Sequence, residues 1–200
     1  MEKLTDEITR PMYNDMFAML NQVRQMHREL QDLIVNGTEV LPFRKKHILL
    51  PFQKTCTRCY FIVKGILKVY EINDKGKENI IWLLKEQDVV NAPESFITQT
   101  PSMQAIQAAE DTICITLPYE TMMTIRNRFP EFNDIYIQLT ERYYQKKCKR
   151  ERLISLEDPE ERYALFLKEE PELAERCSGK DIASYLCIAR ETLSRIRNKR

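Results

Sequence analysis

The hydrophobic pattern of this chain changes period twice, and those changes divide it into a helical start, a β-rich centre and a helical end. From Met12 to Ile34 the residues Met12, Met16, Met19, Leu20, Val23, Met26, Leu30, Leu33 and Ile34 recur at helical spacing. One or two amphipathic helices are expected there, ending near Asn36-Gly37. Between Val40 and Glu120 the pattern breaks into short β-prone runs, namely 46–52, 59–64, 66–72, 79–84, 105–108 and 112–117. Lys64-Gly65 and Asn73-Asp74-Lys75-Gly76 supply turn chemistry between three of them, as consecutive antiparallel hairpins require. Many short strands with no helices between them predict a sandwich or barrel of the jelly-roll kind.

After Pro118 the helical period returns, over 119–129, from Pro130 to about Leu156, over 159–168, 171–177 and 180–186, and in a last helix over 190–199. The expected class is therefore α+β. The division expected is an N-terminal helical segment (1–37), a jelly roll (38–129), one long helix (130–156) and a small helical unit (157–200).

A chain of 200 residues with 43% hydrophobic content can build such cores. No apolar run approaches the roughly 18–20 residues that span a bilayer, and the charged start Met1-Glu2-Lys3-Leu4-Thr5-Asp6-Glu7 is unlike a secretory signal. A cytoplasmic protein without a membrane partner is expected. The six cysteines are scattered and read as reduced thiols.

Along the long helix, Phe132, Ile135, Tyr136, Leu139 and Tyr143 form a narrow stripe at spacings of three and four, with a charged remainder. Two readings are open: the stripe packs on the β-domain, or it forms the seam of a symmetric homodimer.

The net charge of +1 is unevenly spread: Ser178 to Arg200 carries six Lys or Arg against two acids, a net +4, which leaves −3 on the rest. A compact basic end suits phosphate contacts. Its internal spacing is that of a helix-turn-helix. Ala183 stands where two helices cross, the turn follows at Cys187, and Leu193 packs the second helix on the first, with Ile182, Leu186, Ile188 and Ile196 completing a small core. The second helix then presents Arg190, Ser194 and Arg197 on one side and Glu191 with Arg195 on the next. Arginine donates twice to guanine, glutamate accepts from the cytosine amino group, and short hydroxyls such as Thr192 suit phosphates.

Tyr60-Phe61-Ile62-Val63-Lys64-Gly65, Asp74-Lys75-Gly76-Lys77-Glu78, Asp88-Val89-Val90 and Arg190-Glu191-Thr192-Leu193-Ser194-Arg195-Ile196 follow in an order that resembles the Crp/Fnr family of bacterial regulators across nearly the whole chain. The resemblance implies a cyclic-nucleotide-binding jelly roll, a dimerisation helix and a C-terminal helix-turn-helix that binds double-stranded DNA, with RNA polymerase as a partner of any activator. By position, Arg190, Glu191 and Arg195 would contact bases, and Ser178 and Thr192 phosphate; Lys180, Ser194 and Arg197 belong to the same surface. The alternative is a small-molecule-binding module that acts on a protein partner without DNA.

Several positions depart from the family pattern. Ala92 falls where a ribose-binding Glu belongs and Ser102-Met103 where an Arg-Ser pair would neutralise a phosphate, so cyclic AMP is not the expected ligand. A pocket for an unknown small-molecule effector is expected around Asn91, Glu94, Ser95, Phe96, Ser102 and Met103. Cys56 and Cys59 supply half an iron–sulfur ligand set, and two histidines cannot furnish a metallo-cupin, so no metal, cofactor or enzymatic activity is expected. Cys187 stands where such turns usually carry Gly, and Ala189 offers no side-chain cap. The sequence runs out directly after the recognition helix, which reads either as a wing-less variant of the head or as a truncation.

Overall fold

A computed structural model describes residues 6–74 and 76–199. The first five residues of the charged start, Lys75 of the predicted turn and Arg200 of the basic end lie outside them. In chain order the elements are α1 (Asp6–Asn21), α2 (Arg28–Gly37), β1 (Glu39–Phe43), β2 (Ile48–Leu50), β3 (Arg58–Lys64), β4 (Leu67–Ile72), β5 (Glu78–Leu84), β6 (Val89–Val90), α3 (Pro93–Thr98), β7 (Gln104–Ala108) and β8 (Thr112–Pro118). Then come α4 (Tyr119–Arg128), α5 (Glu131–Ser155), α6 (Pro159–Glu169), α7 (Pro171–Arg176), α8 (Gly179–Tyr185) and α9 (Arg190–Asn198).

The strands form two four-stranded antiparallel sheets, ordered β1-β8-β3-β6 and β2-β7-β4-β5. The expected jelly roll is thus present, with two strands and one helix that the sequence pattern did not reveal. β1 contains Pro42, which reads as a loop residue, yet β1 is an edge strand where a missing N–H costs no ladder bond. β6 is only two residues long. α3 begins with Pro93 in its first turn, inside the stretch where the effector pocket is expected.

The second sheet is covered on both faces. Leu67, Val69, Trp82, Leu84 and Ile106 turn inward to a core shared with α1, α2, α4 and the start of α5, while Tyr70, Ile80, Leu83 and Ala105 turn outward. The parity switch on β5 has a local cause: Val69 pairs with Trp82 but Tyr70 pairs with Ile80, so Ile81 is an extra, bulged residue. The outward face forms one cluster with Leu153, Phe166, Leu173, Ile182, Leu186 and Leu193 of the C-terminal helices. Those helices therefore complete a core that begins on the jelly roll.

The stripe on α5 packs within the chain. Phe132 and Ile135 are buried in the main core, Tyr136, Leu139 and Tyr143 pack against it, and the Tyr143 hydroxyl accepts a hydrogen bond from Trp82 Nε1 at 2.9 Å. Side chains buried against their own sheet are not available to a second subunit. Phe132 and Ile135 are thus closed to a second subunit, whereas Tyr136, Leu139 and Tyr143 stay half-exposed and the outward face of α5 adds Ile137, 54% exposed, and Tyr144, 65% exposed.

Charged groups join the C-terminal helices to the jelly roll. Lys68, buried on β4, reaches Glu78 at 3.1 Å and Asp181 of α8 at 3.3 Å. Lys180 lies 3.8 Å from Glu78, Lys85 2.7 Å from Glu172, and Arg176 binds both Glu86 and Glu110. On the edge strand β5, the Ile80 N–H donates to Ser184 Oγ and the Ile80 carbonyl accepts from Arg150.

The Arg176 guanidinium beside Glu86 holds that carboxyl at about 2, from an ordinary 4.5. A group whose folded value is depressed contributes stability above its unfolded value and loses it as pH falls through the folded one. Docking of the C-terminal helices is therefore expected to loosen between about pH 4.5 and about pH 2. Fluorescence of Trp82 followed through an acid titration checks this, and Glu86→Gln should remove that part of the transition.

Candidate nucleic-acid interface

The C-terminal unit is built from short helices whose ends are chemically marked. Asp158 caps α6, accepting from Glu160 N, and Pro159 occupies its first turn. Ser178 caps α8: its Oγ accepts from Asp181 N at 3.1 Å and donates to the Asp181 carboxylate at 2.7 Å. α8 ends in a Schellman turn, in which Ile188 N donates to Ala183 O and Cys187 N to Ser184 O. Cys187 holds the left-handed position at φ +55, where a side chain costs about 1–2 kcal/mol. α9 starts at Ala189 without a side-chain cap, as expected.

Across this turn, Ile182, Ala183, Leu186, Leu193 and Ile196 are buried and Ile188 packs against them. The two helices thus form the unit that their spacing predicts. With its inner face fixed, α9 turns Arg190, Glu191, Ser194 and Arg195 outward, all exposed, while Thr192 is half-buried. Arg195 Nη2 lies 3.4 Å from Thr192 Oγ1.

The remaining residues of the predicted surface are held elsewhere. Arg197 Nε donates to the Tyr163 hydroxyl at 3.0 Å, with its guanidinium over that ring, and Lys199 binds Glu160. Ser178 is occupied by Asp181, and Lys180 faces Glu78 of the jelly roll. Ser178 is thus engaged locally as the cap of α8, while Lys180 sits beside the junction with the sheet through a partner 102 positions earlier in the chain.

A cavity of about 420 Å³ lies between the second sheet, α3 and α5. Four of the six predicted effector residues line it: Glu94, Ser95, Ser102 and Met103. The other two turn away. Asn91 Nδ2 donates to Cys59 Sγ at 3.2 Å, and Phe96 is buried edge-on against Tyr119. Ser95 and Ser102 are themselves buried and committed to backbone partners, Ser95 accepting from Cys56 N and Ser102 donating to Gln104 O. Trp82, Tyr143, Lys147 and Arg150 line the same space and were missed in the sequence, because strand β5 and helix α5 meet only in the fold. Both cations come from α5, which also contributes Glu151; the jelly roll contributes the carboxylates Glu71 and Glu94 and no cation.

Cys56 precedes β3, Cys59 lies on it, both thiols are buried, and burial pushes Cys59 up to about 12. No group of three or more potential metal ligands occurs among the described residues. No helix among them is long and apolar enough to cross a membrane.

Residues 40–129 match the family model of the cyclic nucleotide-binding domain. Over 169 residues the chain is 25% identical to an anaerobic regulatory protein of Aggregatibacter actinomycetemcomitans, covering 78% of this chain and 64% of that protein. It is 26% identical to the fumarate and nitrate reduction regulatory protein of Vibrio cholerae, covering 78% and 66%. The chain thus spans slightly under two thirds of the length of these curated relatives. A crystal structure of a Crp/Fnr-family transcriptional regulator from Eubacterium rectale superposes with a TM-score of 0.73 at 21% identity, covering 92% of this chain and 87% of that one. Residues 40–129 thus resemble a cyclic nucleotide-binding domain, and the chain shares the fold of that Crp/Fnr-family structure. The cavity lies between this matched domain and α5, and its lining departs from what a cyclic phosphate needs. An anionic phosphate placed among Ser102, Met103 and Glu94 meets a carboxylate and no cation from the sheet.

Proposed function

We propose that this protein is a transcription regulator that binds double-stranded DNA as a homodimer, with α9 as the element that enters the major groove. The observation that carries this reading is the outward set Arg190, Glu191, Ser194 and Arg195 on a short helix whose opposite face is locked into the α8 core. Donors and an acceptor on a rigid helix face are what base edges require, and the basic end supplies phosphate neutralisation. The regulatory names of the relatives agree with it.

The dimer seam belongs on the outward face of α5. Ile137, Tyr144 and Cys148 are exposed at spacings of seven and four, a heptad pattern on a helix 25 residues long. Parallel pairing across a two-fold axis sets the two α9 helices over half-sites about one DNA turn, roughly 34 Å, apart. Cys148 tests the seam directly, because Cys56, Cys59, Cys114 and Cys177 are buried and Cys187→Ser removes the other exposed thiol. Mild oxidation of that variant is expected to join two copies through Cys148. Tyr144→Glu should abolish the crosslink, and a chain that stays monomeric by light scattering and uncrosslinked overturns the seam.

The DNA reading is tested by selection from random duplexes followed by mobility shift across a salt series. Enrichment of a pseudo-palindrome with an affinity that falls steeply with salt is expected. No enriched sequence and a flat salt response overturn it.

A further inference from the structure

We propose that the cavity between β4, β5, α3 and α5 is a binding site for a small zwitterion, an amino acid or short peptide, whose carboxylate is taken by Arg150 and whose ammonium is taken by Glu94. A volume of about 420 Å³ lies in the usual small-molecule range of about 300–1,000 Å³. The jelly roll lines it with the carboxylates Glu71 and Glu94, and α5 with Lys147, Arg150 and Glu151; with Lys147 and Glu151 paired to each other, Arg150 on α5 stands across from Glu94 on the jelly-roll side. A single phosphate cannot satisfy both walls, and a purely cationic ligand leaves Arg150 unmatched.

The charged groups of the lining differ in how far they are already used. Glu71 accepts from Gln104 Nε2 at 3.3 Å, and Lys147 is paired with Glu151 along the helix at 3.8 Å. Arg150 and Glu94 have no ion-pair partner among the described residues. Arg150 Nη2 donates to two backbone carbonyls, of Ile80 at 3.1 Å and of Tyr185 at 3.4 Å, while its Nε is buried with no hydrogen-bond partner. A guanidinium satisfied only by two neutral carbonyls is a poor resting arrangement for a charge; a carboxylate that accepts from its Nη atoms supplies the missing counter-charge. Trp82 and Tyr143, whose rings meet at 5.0 Å, give the apolar wall against which a ligand side chain packs.

The same guanidinium touches the reading head. Its carbon lies 5.1 Å from the centre of the Tyr185 ring, and Tyr185 is the last residue of α8, directly before the Schellman turn. A ligand carboxylate competes with the Tyr185 carbonyl for Arg150, so occupancy of the cavity loosens the hold of α5 on α8. This consequence, unlike the binding itself, rests on the regulator reading above.

Isothermal titration of the full chain with each proteinogenic L-amino acid and with glycylglycine, alongside cyclic AMP, tests the site. At least one zwitterion is expected to bind once per chain and more tightly than cyclic AMP. Its amide analogue, which lacks the carboxylate, should bind about tenfold or more weakly. Arg150→Gln should produce the same loss and Arg150→Lys a smaller one, with circular dichroism confirming that both variants fold. Arg190→Ala should bind the zwitterion as the wild type does, which separates failure of the DNA reading from failure of this one. The proposal is overturned if no zwitterion binds, if cyclic AMP binds more tightly than all of them, or if a folded Arg150→Gln binds unchanged.

Discussion

Replacing Arg195 by alanine is expected to weaken binding to a selected duplex by about 1–3 kcal/mol per half-site, roughly 10–100-fold, and to relax the preference for one base pair. The magnitude follows from geometry. Arg195 stands exposed on α9, where its nearest partner is the Thr192 hydroxyl at 3.4 Å, so the guanidinium is not tied into the fold. Arg197→Ala makes the contrast. That side chain lies back on Tyr163, and its loss should change affinity for all duplexes by a similar small factor while slightly loosening α9 on α6. A quantitative mobility shift with single-position variants of the selected site measures both. If Arg195→Ala weakened all duplexes equally, α9 would contact phosphate alone.

The second large effect concerns stability. Phe166→Ala should destabilise the protein by about 3–5 kcal/mol, because Phe166 is 1% exposed and its ring packs 5.8 Å from that of Tyr185 at the centre of the C-terminal core. That core continues onto Tyr70, Ile80 and Leu83 of the second sheet. The loss should therefore appear in both denaturant unfolding and the environment of Trp82. Ile97→Ala on α3, where the side chain is 64% exposed, serves as the neutral comparison and should stay within about 0.5 kcal/mol.

Much of the fold was legible because period and punctuation agree along this chain. The helices from Tyr119 onward are each bounded by a proline, a capping Asp or Ser, or the Cys187 turn, and those local signals locate them within a residue or two. The helix-turn-helix was legible for the same reason: its core positions and its outward positions alternate within twenty residues. Features that depend on distant segments were not. The stripe of Phe132 to Tyr143 has the same spacing whether it meets a sheet or a second helix, and only the position of Trp82 settles that it meets the sheet. Likewise nothing around Arg150 announces that its guanidinium reaches carbonyls 70 and 35 positions away, on β5 and α8. Pro42 concealed β1 because a strand at a sheet edge tolerates a residue that sequence patterns treat as a breaker.

The cover on β5 has a cost in colloidal terms. Ser184 and Arg150 occupy the N–H and C=O of Ile80 on the outer edge of the second sheet. Any state in which α8 swings away leaves those groups bare on a strand rich in Ile, Trp and Leu, and a bare edge of that composition recruits strands from other copies. The docked α8 and α5 thus cover these edge groups as well as packing the C-terminal helices on the sheet. Conditions that loosen the ion pairs around Lys68 and Arg176 should therefore bring turbidity before they bring unfolding.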